Sequence, residues 1–93
     1  MLYEQVAKSN ELGLSPGVYE VWVDVIKPLV EKGVGVMNRA IMAEYHRTYG
    51  RILSDRRLTR EILPALESCG LILLEPDPFD KRRKLVTLAL SES

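Results

Sequence analysis

Apolar residues recur along this chain with two different periods, and the place where the period changes divides it. Between Val18 and Leu29 the apolar positions Val18, Trp22, Val25 and Leu29, widened by Val21 and Ile26, fall on one helical stripe, while Glu20, Asp24, Lys27 and Glu31 share the opposite face. Ser15 followed by Pro16 is a helix start, since a serine oxygen accepts from free amides and proline is tolerated in a first turn. The pattern predicts a helix over 16–32, bent at Pro28, which cannot donate to the carbonyl of Asp24, and ended by Gly33 and Gly35. A short extended link through Val36 and Met37 follows. Asn38 is then the expected cap of a second helix over 39–49, burying Ile41, Met42, Tyr45 and Tyr49 and closed by Gly50. Ser54 caps a third helix over 55–69, with Asp55 against the positive end of its dipole and Leu58, Ile62, Ala65, Leu66 and Cys69 facing inward. Pro64 inside that helix costs about 3 kcal/mol unless the helix bends there.

At Gly70, the expected left-handed terminator, the period drops to two. Residues 71–75 and 83–90 read as the two strands of a β-hairpin around a Pro/Asp-rich turn with a basic tip. Residues 1–14 carry a weak helical pattern and a polar break, which reads as a short or frayed arm, so 15–93 forms the domain. The fold class is α+β and mostly α, in the order helix, helix, helix, hairpin.

The composition, 46% hydrophobic and 28% charged over 93 residues, fits one ordinary globular domain and disfavours disorder or a fibre. No apolar run approaches the roughly 20 residues of a membrane span. The N-terminus has no leader pattern and Cys69 is the single cysteine, from which a cytoplasmic location is the expectation.

Net charge is zero, with 13 basic and 13 acidic residues, but the charges are unevenly placed. Residues 39–60 carry six arginines against Glu44 and Asp55; residues 61–80 carry five acids and no base; Lys81, Arg82, Arg83 and Lys84 follow consecutively. Phosphate contacts come from positioned cations rather than from average charge, so two basic islands fit a nucleic-acid footprint. At about 100° per residue Arg56 and Arg60 point away from the third helix's apolar face, with Arg57 at its edge. A basic helix followed by a basic hairpin is the layout of a winged helix-turn-helix, which grips double-stranded DNA. The candidate DNA contacts are Arg56, Arg57 and Arg60 at base edges, assisted by Ser54 and Thr59, with Arg51, Lys81, Arg83 and Lys84 on phosphates.

The segment PDPFDKRRKLVTLA, residues 76–89, resembles the wing of MarR-type transcriptional regulators, in which an acidic residue is followed two positions later by an arginine and then by an alternating apolar strand. Asp80, Arg82, Val86 and Leu88 match those positions, and LPALESCGLI, residues 63–72, is similar to the end of that family's recognition helix. The resemblance covers roughly residues 40–90. It implies that Arg82 reaches into the minor groove while the third helix enters the major groove. The layout of residues 43–72 also resembles, more weakly, the C-terminal winged helix of archaeal origin-recognition initiator ATPases, which implies a module of a replication initiator.

Blander readings stand beside these. The arginine triplet fits a solvated helix face, and Lys81 to Lys84 fit a charged edge strand that discourages sheet-to-sheet association. Neutral net charge and an acidic first long helix fit a protein-interaction module within a replication or transcription complex. Homodimerisation through residues 1–10 would pair half-sites on DNA. No enzyme is indicated: His46 has no ligand-spaced neighbours, Cys69 has no base partner, and Gly33 and Gly35 lack a phosphate-loop context. No cofactor or metal is expected.

Overall fold

The computed structural model describes residues 3–32 and 35–89. Its helices are α1 (Tyr3–Leu12), α2 (Pro16–Val21, Trp22–Ile26 and Lys27–Val30 in succession), α3 (Asn38–Tyr49) and α4 (Asp55–Arg57, Leu58–Ile62 and Leu63–Ser68 in succession). A two-stranded antiparallel hairpin follows, β1 (Ile72–Asp77) and β2 (Asp80–Leu88). The class is α+β, mostly helical.

The stretch expected as a frayed arm is instead the ten-residue helix α1, and it lies against the domain. Gly13, at φ 75°, ends it in a left-handed turn in which the amide of Leu14 donates to the carbonyl of Ser9 at 2.9 Å. Ser9 and Leu14 are both buried. Weak local amphipathicity hid this helix, because its stability comes from tertiary contact rather than propensity.

Both long helices contain a π turn, and in both a proline follows two residues after it. In α2 the turn is Trp22–Ile26 and the amide of Lys27 donates five residues back to the Trp22 carbonyl, just ahead of Pro28. In α4 it is Leu58–Ile62, with Leu63 donating to Leu58 ahead of Pro64. A proline ring collides with the carbonyl four residues earlier, and widening the preceding turn moves that carbonyl aside. The expected bends are thus resolved as π turns.

An extra residue per turn advances the helix face, which corrects the expected apolar stripes. Val30 rather than Leu29 is buried after the first π turn, and Ile62 and Leu63 are buried side by side after the second, while Ala65 and Cys69 are half-buried. Met42 and Tyr49 of α3 are likewise half-buried, leaving Ile41 and Tyr45 as that helix's core residues. The core gathers Val21, Trp22, Val25 and Ile26 of α2, Ile41 and Tyr45 of α3, Leu58, Ile62, Leu63 and Leu66 of α4, and Ile72 and Val86 of the hairpin.

Caps follow chemistry closely. Ser15 accepts from the Val18 amide at 3.3 Å and Ser54 from the Arg57 amide at 3.1 Å. Asn38 is not a cap: Met37 holds that position, without a side-chain bond, and Asn38 is the first helical residue. Gly50 at φ 70° and Gly70 at φ 84° end α3 and α4, as expected of residues without a Cβ penalty. Gly33, the expected terminator of α2, lies outside the described residues.

In the hairpin, Ile72 faces Leu88, Leu74 faces Val86 and Pro76 faces Lys84, with an irregularity between Pro76 and Asp77. The turn is only Pro78 and Phe79, so β2 begins at Asp80, not at Arg83; Leu90, its expected end, lies outside the described residues. Two aspartates draw the chain tight: the Phe79 amide donates to Asp77 Oδ1 at 2.8 Å and the Arg82 amide to Asp80 Oδ1 at 3.1 Å. The run from Lys81 to Lys84 therefore lies along a strand, and the expected basic tip is instead Pro78 and Phe79. On the far side of β2, Val36 and Val86 exchange both backbone hydrogen bonds, at 2.9 and 2.8 Å. That bridge ties the link before α3 to the hairpin. Beside it Gly35 has no room for a side chain, since a Cβ there would sit 2.9 Å from Leu85 Cβ.

Candidate nucleic-acid interface

Three elements meet around one cleft of about 500 Å3, lined by Met37, Asn38 and Arg39 at the start of α3, Thr59 and Leu63 of α4, and Leu74, Arg82, Arg83 and Lys84 of the hairpin. The bridge at Val36 places the first turn of α3 here, and alternation along β2 puts Lys84 on the same side as the core-facing Val86, while Arg82 and Arg83 lie in the register shift between the Pro76–Lys84 and Asp77–Asp80 pairs. The floor is apolar and the rim is cationic. A second depression adjoins it along α4, lined by Ser54, Arg56, Arg57, Arg60 and Glu61. Thr59 and Leu63 line the first and Arg56, Arg57 and Arg60 the second, so α4 borders both.

The cations differ in how free they are. Arg57 Nε lies 3.5 Å from Glu61 Oε2, Arg82 Nε lies 3.4 Å from Asp80 Oδ1, and Arg83 Nε lies 3.5 Å from Asp80 Oδ2. All three arginines are exposed, and Arg82 retains 92% of its side-chain surface. Exposed pairs of this kind are worth about 0–1 kcal/mol, so a phosphate can displace the carboxylate. Arg39, Arg56, Arg60 and Lys84 form no ion pair with any described residue. Glu75 is occupied elsewhere, accepting the Thr87 hydroxyl at 3.0 Å, and Asp77 holds the turn. The Lys81 side chain lies outside the described residues.

The two hydroxyls among the candidates already serve the backbone. Ser54 Oγ accepts at the start of α4 and keeps its own proton to donate; Thr59 donates to the Asp55 carbonyl at 2.8 Å and keeps lone pairs to accept. Arg51 lies apart from both depressions, its guanidinium 5.6 Å from the centre of the Tyr49 ring. Tyr49 in turn packs edge-on to Tyr45 and donates to Asp24 Oδ2 at 2.8 Å, fastening the end of α3 to α2. Burial first, then the hydrogen bond to Asp24 and that carboxylate's charge, push the Tyr49 hydroxyl's ionisation well above its ordinary range.

Arg39 lines the cleft, although in the sequence it registers only as charge. Its signal was its place in the first turn of α3, and nothing local shows that this turn faces the hairpin. His46 is exposed, and Cys69 is half-buried with its thiol 3.4 Å from the Leu66 carbonyl. Among the described residues no helix is long and apolar enough to cross a membrane. No family model, curated protein or solved structure matches this chain.

Proposed function

We propose that this chain is a winged-helix module that binds double-stranded DNA, with α4 in the major groove and the β1–β2 hairpin, as its wing, along the adjacent backbone and minor groove. The observation that carries this reading is the cleft that unites Arg39, Thr59, Arg82, Arg83 and Lys84 from three elements, with Arg56 and Arg60 beside it on α4. The Val36–Val86 bridge supports it, because it adds a third strand-like segment to the hairpin between the first long helix and the helical pair. Arginines with a planar fork suit guanine edges, and cations on β2 suit phosphates. The likeness of the hairpin to the MarR-type wing favours a transcriptional regulator in which Arg82 probes the minor groove.

The test is titration of a labelled duplex at two ionic strengths. With about six phosphates neutralised, the logarithm of affinity falls against the logarithm of salt with a slope near −5. Absent or salt-independent binding would overturn the reading.

A further inference from the structure

The single phenylalanine of the chain, Phe79, stands at the hairpin's outermost turn with 96% of its surface exposed. Nothing in the fold asks for an aromatic ring there: the turn is made by Pro78 and by the Asp77 carboxylate accepting the Phe79 amide at 2.8 Å. Exposed, the ring forgoes about 2 kcal/mol of burial. The Phe79 backbone is constrained between a proline with fixed φ and the start of β2. Phe79 lies in the turn beyond Asp77 and Asp80, the last paired residues of the hairpin. Along β2 four consecutive cations, Lys81 to Lys84, follow the tip. Of the nearby acids, Asp77 is turned into the turn and Asp80 is matched by two arginines.

We propose that Phe79 is a wedge that enters a base step of duplex DNA from the minor groove, unstacking it and kinking the helix while the β2 cations hold the flanking phosphates. This inference rests on the DNA-binding reading and adds a deformation to it. An apolar side chain beside a cationic strand fits this occupant, because the β2 cations draw phosphates to one side of the ring, the β1 side carrying Glu75 and Asp77, while the ring finds in the base stack the apolar contact it lacks in the fold. Flexible pyrimidine–purine steps are the preferred point of entry, since they unstack at least cost.

The probe is a duplex of about 24 base pairs with central TA steps, carrying a donor and an acceptor at its ends, with 2-aminopurine at one step in a parallel sample. Wild-type protein is expected to shorten the end-to-end distance, as a bend in the range of about 20–90° requires, and to brighten the 2-aminopurine. Phe79→Ala, at an exposed position that leaves folding intact, is expected to bind within about tenfold of wild type while abolishing both signals; Phe79→Leu, which keeps an apolar wedge, is expected to retain part of the bend. Bending by Phe79→Ala equal to wild type, or wild-type binding with a straight, stacked duplex, overturns the wedge and leaves the DNA-binding reading standing. Loss of self-association by Phe79→Ala without change in DNA shape overturns it in favour of a protein contact. No duplex binding by wild type removes both proposals together.

Discussion

Replacing Arg56 and Arg60 together with alanine separates the interface from the fold. Both side chains are exposed and neither forms an ion pair with a described residue, so the double variant is expected to keep its stability within about 0.5 kcal/mol. If both guanidiniums rest on phosphates, each contributes about −0.9 to the salt slope, which falls from near −5 to about −3. Between about 50 and 200 mM salt the wild type then loses roughly a thousandfold in affinity and the variant roughly a hundredfold. If instead they read guanine edges, the slope stays near −5 and about 1–3 kcal/mol is lost per contact on the preferred sequence alone. Fluorescence anisotropy of a labelled duplex across a salt series distinguishes the two outcomes, and thermal melting checks the fold. An unchanged affinity and slope in a folded double variant would refute the placement of α4 on DNA. Arg57→Ala is the contrasting case, because it leaves Glu61 without its cation and sets a bare carboxylate beside the phosphates.

Asp80→Asn keeps an oxygen for the Arg82 amide but releases Arg82 and Arg83 from two exposed pairs, and duplex binding is expected to tighten by up to roughly tenfold with little change in melting temperature; weaker binding would show that the carboxylate orients these arginines rather than competing for them. Tyr49→Phe removes hydrogen bonds to Asp24 and to the Glu20 carbonyl and is expected to cost about 1–2 kcal/mol, read as a drop of about 5–10 °C in thermal melting. Because ionisation of folded Tyr49 is raised above its ordinary value of 10.0, the unfolded chain loses that proton first, so its contribution is complete below pH 10 and is lost as pH rises beyond it. Tyr49→Phe should accordingly flatten the alkaline fall in stability, which a denaturant series at rising pH measures. Gly35→Ala sets a Cβ 2.8 Å from Leu85 Cδ1 and 2.9 Å from its Cβ, and a loss of about 1–3 kcal/mol is expected in urea unfolding. Leu85→Ala should rescue it only in part, since the Cβ contact remains.

The three helices over 16–30, 38–49 and 55–68, their serine caps at Ser15 and Ser54, and the hairpin were legible in the residues themselves, whereas α1 and the start of α3 were not. Ser15 and Ser54 cap as their side chains dictate, Gly50 and Gly70 terminate as residues without a Cβ can, and the change from a period of about four to a period of two marks where β1 begins. The exposed face of α4 was equally readable, because Arg56 and Arg60 lie opposite a strongly apolar stripe. Tertiary structure decided the rest. Pro28 and Pro64 announced a disturbance, but whether a helix bends or widens depends on which solution keeps both flanks in the core, and the π turns bury Val30 and Leu63. The helix over 3–12 packs against α2, a contact that no local pattern encodes. The cleft, finally, joins Arg39, Thr59 and Arg82 across more than forty positions of sequence. Residue chemistry acts over the few ångströms of a turn, whereas the Val36–Val86 bridge and the packing of α3 on α2 bring distant turns together, and only that assembly puts the cations around one groove.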